Sequence, residues 1–287
     1  MTIVDGETAY AKINLALHVR AREPNGYHRI ETLFAFAEDG DRLTVEPATA
    51  LILNVSGPFG ELLADQPTNL VIEAARALRE AFGVRAGASI RLDKRLPIAS
   101  GIGGGSADAA AALRLLTRHW GLPADADRID GIARALGADV PACLGSRPVR
   151  GDGRGDDLTN LEDGALAGTP LLLVNPGVPV PTASVFAMWD GIDRGALETG
   201  DPLHIAVNAR NDLETPARQI APEISAALAL IARADGVILS RMSGSGATCF
   251  ALFENFAARD AADQIIARAE PGWWRLKTAL RGQVIVP

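Results

Sequence analysis

Four glycines occupy the five positions from Gly101 to Gly105, broken only by Ile102, between the strand-like stretch that ends at Leu96-Pro97 and the alanine-rich run that starts at Ser106-Ala107-Asp108. Without Cβ atoms, such residues let a chain turn through positive φ and bring backbone N–H groups against a bulky anion. The run Ala107 to Leu116 has high helix propensity, so its first N–H groups are predicted to lie unpaired at the end of the glycine loop, an arrangement suited to phosphate. Pro97, Gly101, Gly103, Gly104, Gly105 and Ser106 are therefore the first candidates for holding a phosphorylated ligand. A simple helix cap would need one glycine. No Gly-Lys pair occurs, so the loop is not a P-loop; the place of a third dinucleotide-motif glycine is taken by Ser106; and no Gly-x-Ser-x-Gly elbow is present.

Length and composition narrow the alternatives. A chain of 287 residues suggests two domains, which we expect at 1–155 and 156–287. No apolar run is long enough to span a bilayer and no signal-peptide pattern opens the sequence, so a cytoplasmic location is expected. A net charge of −7 without basic tracts argues against nucleic acid as partner, and a monomer or weak homodimer is expected. Cys143 and Cys249 read as core side chains, and the four histidines lack metal-ligand spacing. Lysine is scarce: only Lys12, Lys94 and Lys277 stand against 25 arginines, so a lysine inside an apolar strand suggests a need for a compact ammonium.

Along the chain, Ala11 to Val19 alternates as a half-buried strand, placing Lys12 and Asn14 on one face, pointing either to solvent or into a cleft. Asn25-Gly26 marks a tight turn followed by Tyr27 and His28. Ile30 to Phe36 is a strand, Asp39-Gly40-Asp41 a further turn, and Leu43 to Val55 one or two more strands. Asn69 or Thr68 caps a helix that ends near Gly83. A short strand over 88–92 leads to Asp93-Lys94-Arg95 and the glycine loop. Ile129 to Leu136 forms a helix ended by Gly137, after which Asp139 is either a helix N-cap or one half of an acid–base pair. Residues 147–157 read as an exposed turn or linker. The second half holds strands at 171–174, 237–239, 249–253 and 284–286, helices at 224–234 and 257–269, and a second glycine-serine turn at 243–248. The whole is an α+β pattern of sheets covered by helices.

These phrases resemble the small-molecule kinase superfamily of galactokinase, homoserine kinase, mevalonate kinase and phosphomevalonate kinase. The resemblance rests on Ala11-Lys12-Ile13-Asn14, Gly26-Tyr27-His28, Leu96 to Ala110, Gly137-Ala138-Asp139-Val140-Pro141, Asn175-Pro176-Gly177, Pro181-Thr182 with Phe186, Asn211-Asp212 and Ser243-Gly244-Ser245-Gly246. The Lys12, Tyr27-His28 and Asp139 phrases are similar to the branch acting on a cytidine-diphosphate-linked methylerythritol in the non-mevalonate isoprenoid route. The resemblance implies a two-domain fold, an N-terminal domain with a left-handed βαβ crossover and a ferredoxin-like C-terminal domain. It also implies ATP as donor and Mg²⁺ as its charge partner. In that scheme Asp139 takes the hydroxyl proton beside Lys12, Asn14 orients the acceptor, and Asn69 and Lys94 line the adenine. Ser106 stands near Mg²⁺ or the phosphates. Tyr27 and Phe186 stack on cytosine, His28 reads its edge, and Thr182, Asn175 and Asp212 support the substrate side. The alternatives are a kinase of another alcohol, such as homoserine or mevalonate, and a non-catalytic sensor on the same fold. The loop departs from the superfamily pattern at Ala99 or Ser100, where glycine is frequent, and Ala142-Cys143 replaces bulky aromatics.

Overall fold

The computed structural model describes residues 5–64, 68–161 and 166–282. In chain order, the first half holds β1 (Asp5–Arg22), β2 (His28–Ala48), β3 (Leu51–Ser56), α1 (Glu61–Ala64), α2 (Leu70–Phe82), β4 (Gly87–Asp93), α3 (Gly104–His119), α4 (Ala126–Leu136) and α5 (Val140–Gly145). The second half holds β5 (Val149–Asp152), β6 (Asp157–Asn160), β7 (Pro170–Asn175), α6 (Thr182–Ala187), α7 (Pro202–Asn208), α8 (Glu214–Ile220) and α9 (Glu223–Ile231). It closes with β8 (Val237–Met242), β9 (Cys249–Phe253), α10 (Phe256–Ala269) and β10 (Trp274–Ala279).

Two compact units emerge, and neither is contiguous. As far as the residues are described, one takes Met1–Ala11, Asp39–Ile98 and Gly103–Gly145; the other takes Lys12–Glu38, Ala99–Ile102 and Ser146–Pro287. They differ from the contiguous halves 1–155 and 156–287 because β1 and β2 contribute to both. The Lys12–Glu38 stretch joins the second unit through a parallel bridge from Leu17 to Asn211, an antiparallel bridge from Ala37 to Leu280, and pairing of Thr32–Phe34 with β5.

In the first unit β3 and β4 run parallel, joined through α1 and α2, and the end of β2 pairs antiparallel with β4 from Arg42↔Asp93 to Ala48↔Gly87. Parallel neighbours need such a crossover, and the helix supplies it. The side chain of Asn69 caps α2 by accepting from Val71 N at 2.9 Å, and Gly83 at φ 65° ends it, both as the sequence suggested. The α2 stripe Val71, Ala74, Ala75 and Leu78 is buried. It packs against α3, whose Ala107 and Ala109 to Ala112 are also buried; small side chains allow this close helix approach.

In the second unit the sheet order is β10-β7-β9-β8, every pair antiparallel. With helices between β7 and β8 and between β9 and β10, this is the β-α-β-β-α-β plan of a ferredoxin-like domain, as expected from the resemblance. Strand β9 is buried along its whole length, and its Cys249 and Phe253 join Leu172, Val174, Ile224 and Ile266 in one apolar core. Arg241 lies 8% exposed and donates to the carbonyls of Leu15, Ala206 and Ala209. Burial pulls its guanidinium down to about 10, with Glu214 opposing. Cys143 and Cys249 are free and buried, as anticipated.

Several expectations need correction. Asp39-Gly40-Asp41 is not a turn but the middle of β2: a Cβ on Gly40 would lie 1.9 Å from Ala9 O, so glycine here admits a close strand approach. Residues 147–157 contain strand β5 and the turn that brings the chain back to its partner β6, with Gly151 fitted beneath Phe34. The polar and glycine-rich composition of that stretch hid its period-two burial. Helix α7 and strand β10 were not foreseen, although Asp201 and Pro202 carry a recognisable helix start. The strand expected at 284–286 lies outside the described residues. Gly40→Ala is expected to destabilise the protein by about 1–3 kcal/mol through overpacking, read as a lowered urea midpoint with unchanged m.

Candidate active site

In the second unit, β1 presents Lys12 and Asn14 on one face, as alternation predicts, and both are 3% exposed. Lys12 Nζ donates to Asn14 Oδ1 at 2.9 Å, Asn14 Nδ2 donates to Thr32 Oγ1 at 2.7 Å, and Thr32 Oγ1 donates to Ala16 O at 2.7 Å. The Phe34 ring centroid lies 5.0 Å from the Lys12 ammonium. The relay fixes the Asn14 amide, because its oxygen must face the ammonium and its nitrogen the hydroxyl. Thr32 was not singled out in the sequence; its signal was a hydroxyl directly before the apolar run Leu33 to Ala37.

The two glycine-serine turns meet beside this relay. Ser243 Oγ accepts from Asn14 N at 3.1 Å and donates to Gly101 O at 2.8 Å, while Thr248 N donates to Ser100 O at 3.1 Å. At Gly101, φ is 77° and a Cβ would come within 2.4 Å of Ser243 O; at Gly244 a Cβ would meet Asn14 Oδ1 and Gly101 O, both at 3.1 Å. Ala99 stands at φ 50°, at one of the two positions where the superfamily often carries glycine. The left-handed conformation costs alanine roughly 1–2 kcal/mol.

Asn211, Asn175 and Thr182 support the Ser243–Thr248 turn. Asn211 Nδ2 donates to Met242 O and Gly244 O, both at 2.8 Å. Asn175 Nδ2 donates to Thr248 Oγ1 at 2.9 Å, and the Thr182 and Ser245 hydroxyls are 2.8 Å apart. Thr182, a possible cap, is instead the first residue of α6, with Pro181 in the cap position. Asp212 accepts from Val19 N at 2.8 Å and pairs with Arg210 at 2.7 Å.

An aromatic group lies in the same unit. The His28 ring is 5.0 Å from Phe186, tilted by 36°, and 5.7 Å from Trp189 in an edge-on arrangement. Burial and then Arg22 hold His28 below its ordinary value, which keeps a neutral ring with one donor and one acceptor. Trp189 escaped the sequence reading, although it stands three positions beyond Phe186. Tyr27 is 57% exposed and has the Arg154 guanidinium over its ring at 5.6 Å.

The first unit holds the remaining candidates. Gly103 at φ 64° is the N-cap of α3, so Gly104 and Gly105 open the helix and Ser106 follows in its first turn. Pro97 is buried, and Asn69 is engaged in capping α2. Lys94 is 2% exposed, its ammonium bonded to Asp41 Oδ2 at 2.6 Å and Asp108 Oδ2 at 2.5 Å. Burial opposes the Lys94 charge, but Asp108 and then Asp41 outweigh it and raise its pKa. Burial pushes Asp108 up to about 7 against the pull of Lys94. Asp139 is half-buried directly before α5, and its carbonyl accepts from Cys143 N at 3.1 Å. Among the described residues no group of three or more His, Cys, Asp or Glu is arranged to hold a metal ion.

Thr32→Val preserves shape but leaves the Asn14 amide and the Ala16 carbonyl without their buried partner. The expected cost is about 1–3 kcal/mol in urea unfolding, with most of it restored by Thr32→Ser.

Comparison with known proteins accords with this arrangement. The sequence pattern of the GHMP kinases N terminal domain matches residues 69–147, and that of the GHMP kinases C terminal domain matches 195–270. The chain is 57% identical over 277 residues to a 4-diphosphocytidyl-2-C-methyl-D-erythritol kinase of Rhizorhabdus wittichii, covering 96% of this chain and 94% of that one. It is 51% identical over 275 residues to a protein of the same name from Novosphingobium aromaticivorans, covering 96% and 92%. A crystal structure of 4-(cytidine 5'-diphospho)-2C-methyl-D-erythritol kinase superposes with a TM-score of 0.75 at 35% identity, over 97% of this chain and 100% of the other. A mevalonate kinase from L. major shares the fold at a TM-score of 0.71 and 17% identity, over 99% and 97%. Near-full-length identity and the match of both halves to this family's two domains agree: the chain belongs to the GHMP kinase family.

Proposed function

We propose that this protein is an ATP-dependent kinase that phosphorylates the 2-hydroxyl of 4-diphosphocytidyl-2-C-methyl-D-erythritol, giving the 2-phosphate and ADP. The observation that carries the reading is near-full-length identity of 57% to a kinase so named. A homoserine kinase and a mevalonate kinase that share this architecture do so at 15% and 17% identity, which speaks for the fold alone. The buried Lys12–Asn14 pair and the neutral His28 beside Phe186 support the same reading.

Phosphoryl transfer asks mainly for alignment and charge stabilisation. Asp139 accepts the proton of the acceptor hydroxyl, whose oxygen attacks the γ-phosphorus of ATP as ADP leaves. The Lys12 ammonium stabilises charge on the attacking oxygen and the moving phosphoryl group, and the Asn14 to Thr32 relay keeps it from swinging away. The N–H groups of Gly101 and of Gly103 to Ser106 receive the triphosphate, while Asn69 and Lys94 stand on the adenine side. His28 donates to or accepts from the cytosine edge, Tyr27 and Phe186 stack on the ring, and Thr182 supports the substrate loop.

The Ser106 hydroxyl would be the group that holds Mg²⁺, an ion that takes few protein oxygens when it accompanies a nucleotide and so would need no carboxylate cage. When bound with ATP the ion neutralises charge on the phosphates. The partner is the small-molecule substrate, with no nucleic acid or membrane, and the protein acts in the cytoplasm as a monomer or weak homodimer.

The decisive assay mixes the protein, Mg-ATP and the cytidine-diphosphate-linked methylerythritol and follows ADP release, with homoserine and mevalonate as controls. Faster turnover of either control would overturn the assignment. Asp139→Asn is expected to bind both substrates but lose about 10²–10⁴-fold in kcat. Tyr27→Ala should raise the acceptor KM roughly 5- to 150-fold, the worth of one stacked base, and leave the ATP KM nearly unchanged. Because His28 is depressed below its usual 6.5, kcat/KM for the acceptor should stay flat from pH 8 to 6.5 and decline only below.

A further inference from the structure

The buried cluster of Lys94, Asp41 and Asp108 has an arrangement that a ligand-lining lysine would not need. Asp41, in the middle of β2, is fully buried; its Oδ2 accepts a hydrogen bond from the Lys94 ammonium, and its Oδ1 accepts from the backbone N–H groups of Arg95 at 2.5 Å and Leu96 at 2.8 Å. Those two amides belong to the segment that leads into the glycine loop. A second N–H of Lys94 donates to Asp108, in the second turn of α3 and 3% exposed, so one ammonium ties both flanks of the loop together. Lys94 Nζ also lies 3.1 Å from where a Cβ on Gly104 would stand, so the first residue of α3 rests directly on it. The remaining oxygen of Asp108 is buried without a hydrogen-bond partner.

We propose that Lys94, Asp41 and Asp108 are positioning residues for ATP, a brace that holds the start of α3 and the strand side of the loop at the separation the polyphosphate requires. The inference rests on the reading of the loop as the triphosphate cradle. It changes the part played by Lys94: the ammonium acts through the loop backbone on the phosphates and makes no contact with adenine. A brace therefore affects every nucleoside triphosphate, and bare inorganic triphosphate, to the same degree. Contact with adenine would affect ATP alone.

The test uses the full-length enzyme with Asp108→Asn, which keeps shape and removes one charge-assisted bond. The KM for Mg-ATP should rise about tenfold, the inhibition constant of magnesium triphosphate by the same factor, and the acceptor KM by less than twofold. A weakened ATP KM with unchanged triphosphate inhibition would overturn the brace in favour of contact with adenine. Equal changes in both substrate KM values, or a lowered melting temperature with both KM values intact, would reduce the cluster to a structural role and overturn it as well. If wild-type enzyme turns over ATP but magnesium triphosphate does not compete with it, the cradle reading itself fails, a result distinct from the others. Should Asp108→Asn not fold, Asp41→Asn is measured in the same way. Should neither fold, hydrogen exchange of the wild type decides: the brace requires the Arg95 and Leu96 amides to exchange as slowly as the core of α3 without nucleotide, and fast exchange overturns it.

Discussion

An ammonium withdrawn from water must be given back its hydrogen bonds by fixed oxygens, and this constraint shapes both units. Of three lysines in the chain, Lys12 and Lys94 are 3% and 2% exposed, while Lys277 sits at the surface among acidic side chains. At Lys94 the oxygens are two carboxylates, and the result is a rigid knot between β2, the loop flank and α3. At Lys12 one of the oxygens is the amide carbonyl of Asn14, itself held by Thr32. The same residue type is thus fixed by a pair of carboxylates in one unit and through an amide–hydroxyl relay in the other.

Much of this was legible in the sequence because it depended on local rules. Alternation along Ala11 to Val19 put Lys12 and Asn14 on one face, and they bond directly. Four glycines in five positions marked the loop, and the capping of α2 by Asn69 and its end at Gly83 followed from residue type. What escaped depended on partners distant in sequence. Asp41 resembled a turn residue because Asp39-Gly40-Asp41 has turn composition, yet tertiary packing made the segment a strand and buried the carboxylate. Thr32 and Trp189 likewise acquire meaning only from the side chains brought against them, Asn14 in one case and His28 in the other.

The division into units teaches a similar lesson about periodicity and chain path. A strand of 18 residues followed by one of 21 is long enough to serve two compact units, so a single boundary in the sequence cannot describe the result. The linker-like composition of 147–157 reflects a short hairpin whose glycines fit under Phe34 rather than a hinge. Composition measured solvent affinity correctly there but not topology.

The contact between the Gly101 and Gly244 turns is made largely of backbone, with no room for a methyl group at Gly101 and little at Gly244. Neither turn is therefore free to drift: any side chain gained by one must be answered by retreat of the other. Two segments some 140 positions apart in the sequence behave as one mechanical part, and any redesign of either turn has to transplant them jointly.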